Sequence, residues 1–394
     1  MISNEMLMLG KKSSVIREIF EYGNRRRAEI GAENVFDFSL GNPSIPAPSA
    51  VKEAMMDLLE NTDPVALHGY TSAPGAPAVR EAIAQSIQNR FGFEAQAANI
   101  YMTCGAAASL TVSLKAVLEA GDEVIVLAPF FPEYRVFVEA AGGTLVSVPS
   151  RQSDMGPDLE KLSAAISPKT KAIIVNSPNN PTGAVISEED VKAMTALLKE
   201  KSESFGSEIY LLADEPYREL VYGDVEVPYL PAYYDNTIVC YSYSKSLSLP
   251  GERIGYIFVS PRAKDSADLF AAVCGAGRAL GFVCAPSMMQ YVIAKLQDAK
   301  SDIAAYQKNR DLLYNALKEY GYDAIEPQGA FYLFVRSPEA DAAAFCEKAK
   351  KYELLLVPGD SFDGPGFVRI SYCVAEDTIR RSLPAFKKLI EEYK

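Results

Sequence analysis

Two kinds of apolar spacing alternate along the chain between residues 50 and 280. Apolar residues four positions apart, from Val79 to Ile87, predict a helix over 77–91, and a second apolar stripe predicts a helix that begins at Ser187. The intervening apolar runs predict strands at 124–128, 172–175, 209–213, 237–241 and 256–259. This alternation predicts an α/β domain whose mostly parallel sheet is flanked by helices.

The two ends of the chain follow a different pattern. Residues 11–30 read as one amphipathic helix, and a proline-rich loop follows it. After about residue 285, long helical stretches separate a few short strand candidates, which lie at 331–335, 354–357 and 367–370. The last helix is predicted over 377–393, where Pro384 is expected to kink or split it.

These patterns divide the chain into two predicted domains. The large domain is expected to span 46–284. The smaller α+β domain is expected to combine an N-terminal arm, 1–45, with the C-terminal part, 285–394. A chain of 394 residues is long enough for two or three domains of ordinary size.

Composition excludes several classes of function. The net charge of −12 opposes binding to nucleic acid or to an anionic membrane. His68 is the one histidine, so a zinc site of two or three histidines is impossible, and no metal site is expected. The six cysteines contain no CxxC pair and are expected to be reduced. Without a signal peptide or a long apolar run, the protein is expected to be cytoplasmic.

Polar residues cluster where the predicted strands end. NSPNNPTG follows the run at 172–175, Asp214 and Tyr217 follow 209–213, and SYSKSLSLPGER follows 237–241. Ligands of open α/β sheets bind beyond the carboxyl ends of strands, so these groups are expected to face one crevice. Each motif taken alone is also typical of an ordinary turn or helix cap. Their joint order and spacing make the signal specific.

From about residue 35 to 390 the chain resembles the fold-type-I pyridoxal-phosphate (PLP) aminotransferases, the class that includes aspartate, aromatic and kynurenine aminotransferases. The resemblance rests on Tyr70, the 105–107 turn, Asn180, Asp214 with Tyr217, Lys245 in SYSK, Arg253 and Arg369 in FVRIS. It implies two-step transfer of an amino group from an L-amino acid to a 2-oxo acid, through pyridoxamine phosphate.

The resemblance also implies roles for the catalytic residues. Lys245 would carry the cofactor aldehyde as a Schiff base and then move a proton at the substrate α-carbon. Asp214 would hold the pyridine nitrogen protonated, which makes the ring an electron sink. Tyr217 and Asn180 would donate hydrogen bonds to the phenolate oxygen of the cofactor.

The remaining sites implied by the resemblance bind phosphate and substrate. The phosphate would be held by Gly105, Ala106, Ala107, Ser242, Ser244 and Arg253. Phe131 would stack on the cofactor, and Tyr70 would reach the phosphate of the neighbouring subunit, which implies a homodimer. Arg369 would bind the substrate α-carboxylate, with Asn180 beside it and the backbone of Gly41 closing over the substrate.

Two other functions remain open from the motifs. A C–S β-lyase on the same fold would use the same lysine, aspartate and arginine. A PLP-sensing regulatory domain is the other alternative, but only about 35 residues precede the resemblance, too few for a DNA-binding domain. The identity of the substrates is not determined, and Arg278 and His68 are hypotheses for reading the substrate side chain.

Overall fold

The computed structural model describes residues 2–11 and 14–394. Its helices are α1 (Asn4–Lys11), α2 (Val15–Ile30), α3 (Ser49–Asn61), α4 (Pro64–His68), α5 (Pro77–Phe91), α6 (Ala106–Val117), α7 (Glu133–Ala140), α8 (Leu159–Ala165), α9 (Glu188–Phe205), α10 (Tyr243–Ser246), α11 (Ser266–Ala279), α12 (Ser287–Ala294), α13 (Ile303–Tyr320), α14 (Ala342–Ala349) and α15 (Glu376–Glu391). Its strands are β1 (Phe36–Asp37), β2 (Ile100–Thr103), β3 (Glu123–Ala128), β4 (Thr144–Pro149), β5 (Thr170–Asn176), β6 (Tyr210–Asp214), β7 (Thr237–Ser242), β8 (Gly255–Val259), β9 (Tyr332–Arg336), β10 (Leu354–Leu355), β11 (Val357–Pro358) and β12 (Phe367–Ser371).

A seven-stranded sheet in the order β2-β8-β7-β6-β5-β3-β4 forms the centre of the molecule. Only β8 runs antiparallel to its neighbours, so the sheet is mostly parallel, which confirms the predicted fold class. The register aligns Asn176 with Asp214 and Asp214 with Cys240. The carboxyl ends of β5, β6 and β7 therefore lie side by side at one edge.

The smaller sheets lie near the C-terminus. β11, β12 and β9 form an antiparallel sheet in which Arg369 lies opposite Phe334, and β1 pairs in parallel with β10. The β1–β10 pair joins residues from both ends of the chain. The sheet formed by β9, β11 and β12 has a core of its own, built with α13, α14 and α15.

Apolar side chains cover both faces of the seven-stranded sheet. The residues before and within α12, including Met289 and Val292, pack into the core on one of these faces. No helix among residues 2–11 and 14–394 is long and apolar enough to cross a bilayer.

The apolar runs predict five of the seven strands of the large sheet, and the C-terminal candidates correspond to β9, β10 with β11, and β12, whereas β1, β2 and β4 are not predicted. The apolar run in β2 is three residues long and ends at Thr103, and β4 interrupts its apolar residues with Ser147, so neither contains a run of four. The predicted helix 11–30 corresponds to α2, and residues 12 and 13 lie outside the described residues. Pro384 does not split the last helix, since α15 runs without a break from Glu376 to Glu391.

Candidate active site

A cleft of about 330 Å³ opens at the carboxyl ends of β5, β6 and β7, between the seven-stranded sheet and β12. Twelve of the predicted site residues line it: Gly41, Ala106, Ala107, Phe131, Asn180, Asp214, Tyr217, Ser242, Ser244, Lys245, Arg253 and Arg369. Gly105, directly before α6, lies against Arg253. Residues that are up to 328 positions apart in sequence therefore share one site.

Lys245 lies on the short helix α10, directly after β7. Its Nζ donates a hydrogen bond to the carbonyl oxygen of Gly41 at 2.7 Å. Burial lowers the pKa of Lys245 to about 8, and the positive charges of Arg253 and Arg369 act in the same direction. About a tenth of this amine is therefore uncharged and nucleophilic at pH 7, far more than for an ordinary lysine.

Asp214 ends β6 and is only 5% exposed. Its Oδ2 accepts a hydrogen bond from the hydroxyl of Tyr134 and a longer one, 3.4 Å, from Asn176 Nδ2. Its buried Oδ1 has no hydrogen-bond partner among the described residues. Burial, with a contribution from Glu215, raises the pKa of Asp214 to about 7, while the bond from Tyr134 opposes that shift.

Arg369 is buried at the other side of the cleft, with its guanidinium 4.7 Å from the ring centre of Tyr332 and 4.6 Å from that of Phe362. Nη1 donates to Asn180 Oδ1 at 3.1 Å and Nη2 to the carbonyl oxygen of Ser39 at 2.5 Å. Its Nε has no partner within the described part of the chain. Burial lowers the pKa of Arg369, so an anion in the cleft would relieve an unfavourable desolvation.

The predicted phosphate site surrounds the beginning of α6. Gly105 has φ +91°, and a Cβ added there would lie 3.0 Å from Arg253 Nη2, so this turn needs glycine. Ala106 and Ala107 are the first two residues of a 12-residue helix, where backbone N–H groups and the helix dipole favour an anion. The hydroxyls of Ser242 and Ser244 lie 2.6 Å apart beside it.

Three predicted or hypothetical residues lie outside the cleft of the single chain. The side chain of Tyr70 is 99% exposed, and Arg278 and His68 are also exposed. Nothing in the described residues therefore brings His68 or Arg278 to the cleft.

Some residues at the site have no role predicted from the sequence. Asn176, Tyr332 and Ile16 line the cleft, and Tyr134 lies behind Asp214. Tyr332 Oη is 2.9 Å from Tyr217 Oη, although the two are 115 positions apart. Asn176 begins the NSPNNPTG stretch that was expected to face the crevice, and as the last residue of a buried strand it could have been given a role. For the two tyrosines the sequence offers no comparable signal.

The model of the family "Aminotransferase class I and II" matches residues 33–386 of the chain. The chain belongs to this family. It is similar to an aminotransferase from Eubacterium rectale, at 54% identity and a TM-score of 0.98 over all of both chains. It is 32% identical to the probable aspartate/prephenate aminotransferase of Thermus aquaticus, over 93% of this chain and 95% of that one. The aspartate aminotransferase of Thermus thermophilus with maleate is 27% identical, with a TM-score of 0.87 over 99% of this chain and 100% of that one.

The protein is therefore a fold-type-I, PLP-dependent aminotransferase. The described residues fit this cofactor in two ways. The unpartnered Oδ1 of Asp214 is an acceptor suited to a protonated ring nitrogen. The glycine turn before α6, together with Arg253, supplies donors and positive charge for a phosphate.

Proposed function

We propose that this cleft performs the transamination with Lys245, Asp214 and Arg369 as its central groups. The observation that carries the proposal is that all three residues line one cleft, where each has an atom that can still bind a ligand. Lys245 is an amine of lowered pKa, Asp214 has a free Oδ1, and Arg369 has a free Nε. These features match an amine nucleophile, an anchor for a protonated ring and a clamp for a carboxylate.

On the cofactor side, Asp214 would accept the ring N–H, and Asn180 and Tyr217 would donate to the ring oxygen. The phosphate would bind to Gly105, Ala106, Ala107, Ser242, Ser244 and Arg253, with Phe131 against the ring. When bound, PLP supplies an electron-withdrawing ring that stabilises negative charge at the substrate α-carbon. Lys245 would take and return the α-proton at its Nζ, which its lowered pKa permits at neutral pH.

On the substrate side, Arg369 would bind the α-carboxylate. Asn180 and the carbonyl of Ser39 hold two of its nitrogens, which fixes the plane of the guanidinium. The ring centres of Tyr332 and Phe362 lie 4.7 Å and 4.6 Å from the guanidinium carbon, and the rings limit the access of water to it. The backbone of Gly41 lies close to Tyr332 at the cleft. A Cβ at this position would lie 2.0 Å from Tyr332 Oη, so only glycine fits here.

We also propose that the enzyme is a homodimer in which Tyr70 completes the phosphate site of the neighbouring subunit. Tyr70 is exposed together with other large apolar side chains: Met56, Leu59, Val65, Leu280 and Val283. The Sγ of Cys284 contacts the carbonyl oxygen of Thr71 at 3.2 Å, so the loop after α11 and the loop carrying Tyr70 belong to one surface. An exposed apolar surface of this kind favours association between subunits.

For substrates we propose a dicarboxylic pair: aspartate as the amino donor with 2-oxoglutarate as the acceptor, which gives oxaloacetate and glutamate, and the reverse reaction from glutamate. Support comes from relatives named aspartate or aspartate/prephenate aminotransferase and from the Thermus thermophilus structure with maleate, a dicarboxylate. A division into a large domain of 46–284 and a small domain of 1–45 plus 285–394 remains part of the proposal. So does a cytoplasmic location, which the free state of all six cysteines favours.

The deciding experiment is a panel of amino donors incubated with 2-oxoglutarate and the holoenzyme, in which glutamate and ammonia are both measured. Aspartate, aromatic and aliphatic donors are compared, and a thioether amino acid is included without any oxo acid. Glutamate formed in proportion to the donor, with ping-pong kinetics, is the expected result. Ammonia and pyruvate formed without an acceptor would instead identify a lyase.

A further inference from the structure

The carboxyl group of Asp214 is placed where a negative charge is difficult to keep. It is buried at the end of β6, and burial raises its pKa toward neutrality. The neighbouring Glu215 adds negative charge, although Glu215 itself pairs with Arg218. Cys240, in register with Asp214 on β7, is also buried and stays protonated because burial raises the pKa of its thiol. Support for the charge must come from hydrogen-bond donors.

Tyr134 is the donor aimed at this carboxyl group. It is the second residue of α7 and 2% exposed, and its hydroxyl donates to Asp214 Oδ2. Its ring is fixed against Phe130, at 6.4 Å between ring centres, and against Phe131 at 5.6 Å. Burial raises the pKa of Tyr134 well above its ordinary value, so the hydroxyl remains a donor at any neutral pH.

Asn176 supports the same residue in a different way. Its Nδ2 donates to the main-chain oxygen of Asp214 at 2.9 Å and only weakly, at 3.4 Å, to Oδ2. Its Oδ1 accepts from the N–H of Asn180 at 2.8 Å. Asn176 therefore holds the main chain at the end of β6. The shorter hydrogen bond to the carboxylate of Asp214 comes from Tyr134.

We propose that Tyr134 is a positioning residue for transamination, which occupies Asp214 Oδ2 and so leaves an ionised Oδ1 for the cofactor ring nitrogen. The inference rests on the role given to Asp214 in the proposed function. A proton shared by Oδ1 and the ring nitrogen stays on the nitrogen only while the carboxylate is the weaker base. The O–H of Tyr134 weakens that base by bonding to its charged form.

The test compares Tyr134→Phe with wild-type holoenzyme that is reconstituted with PLP labelled with ¹⁵N in the ring. Loss of the hydroxyl is expected to move the ¹⁵N chemical shift toward the value of a neutral ring at the same pH. We expect kcat to fall about 10- to 100-fold, as for hydrogen bonds behind the ligands of a metal, with a much smaller change in KM for the amino acid.

Tyr322→Phe is the matched control. Tyr322 is 4% exposed and its hydroxyl donates to the carbonyl oxygen of Phe386 at 2.8 Å, in the core around β9 and β12. This variant loses an equally buried hydroxyl but should keep the wild-type ¹⁵N shift and kcat. Urea unfolding of both variants reports any general loss of stability.

A ¹⁵N shift that stays at the wild-type value in Tyr134→Phe overturns the proposal. If that variant does not fold, 4-fluorophenylalanine at position 134 fills the space of the hydroxyl without donating a hydrogen bond, and the same comparison applies. The Asp214→Asn variant distinguishes a failure of the role proposed for Asp214 from a failure of the role proposed for Tyr134. If its ¹⁵N shift and kcat also match wild type, the role of Asp214 itself is wrong, whereas a change in Asp214→Asn alone rejects only Tyr134.

Discussion

The two sides of the cleft are built by different means. On the cofactor side, Asp214 and its neighbours are placed by the register of adjacent parallel strands. On the substrate side, the guanidinium of Arg369 is oriented by contacts with distant segments: the carbonyl of Ser39, the side chain of Asn180 and two aromatic rings. Main-chain pairing also places the backbone of Arg369, on the middle strand of the smaller sheet, but long-range side-chain contacts set the orientation of its guanidinium.

The substrate side also depends on a chain of contacts that begins at the N-terminus. Arg27 of α2 pairs with Asp37, whose Oδ1 accepts the hydroxyl hydrogen of Ser39 at 2.6 Å. Ser39 in turn offers its carbonyl to Arg369. Helix α2 thus influences the substrate arginine without touching it, while Ile16 of the same helix lines the cleft.

The two sides meet at Lys245, and its removal should have the largest effect. In Lys245→Ala we expect kcat to fall by roughly 10⁴- to 10⁶-fold, as when a nucleophile is removed. The visible absorption band of the lysine-bound cofactor should disappear as well. A variant that keeps the band would show that another amine anchors the cofactor.

Arg369→Lys should affect the substrate side alone. A lysine keeps the charge but cannot form two parallel bonds to a carboxylate. We expect kcat/KM for the amino acid to fall about 10²- to 10³-fold, since loss of one partner of a buried charged contact costs about 2–5 kcal/mol. The affinity for PLP, measured by fluorescence titration, should change little. An equal loss of both would mean that the two sides are not separable.

Arg253→Ala should have the converse effect on the cofactor side. Arg253 is exposed in the single chain, and its Nη1 donates to the carbonyl oxygen of Pro250 at 2.9 Å. Because backbone N–H groups at α6 still bind phosphate, we expect the Kd for PLP to rise about 10-fold, from a contact worth roughly 1.5 kcal/mol. KM for the amino acid at saturating PLP is the internal control, and a rise there would contradict the assignment.

The pH dependence of cofactor uptake tests how both sides act on Lys245. Because the pKa of Lys245 is lowered to about 8, the uncharged amine becomes more abundant as pH rises through that value. The rate at which the apoenzyme takes up PLP should rise in parallel, with a midpoint near pH 8. In Arg253→Ala the midpoint should move upward, because a charge that disfavours the ammonium form is gone. A midpoint near that of a free lysine would contradict the effect of burial.

Arg278→Ala is expected to give the smallest change, limited to side-chain preference. Arg278 lies at the end of α11, close in sequence to the exposed Leu280 and Val283 of the proposed interface. If it reaches a neighbouring site, activity with aspartate or glutamate should weaken relative to an aromatic donor. An unchanged ratio of kcat/KM values for the two donor types would remove Arg278 from the site.

Sequence reasoning located the polar strand ends well and their partners poorly. Asp214, Lys245 and Asn180 follow apolar runs, so the pattern of strands alone predicts that they lie at one edge of the sheet. Tyr134 is 80 positions from Asp214, and nothing in its local sequence separates it from a core tyrosine. Tyr332 lies within a strand that was predicted, but its contact with Tyr217 depends on how two sheets face each other.

The sequence by itself determined the fold class, the family and most residues of the cleft, because these follow from local periodicity and from motifs that keep their order along the chain. Only the tertiary structure decided which atoms remain free for ligands. Asp214 Oδ1 and Arg369 Nε are unpartnered within the described chain because Tyr134, Asn180 and Ser39 occupy the neighbouring atoms. Burial and long-range hydrogen bonds decide which of these atoms are occupied and which are free, and neither can be predicted from spacing along the chain.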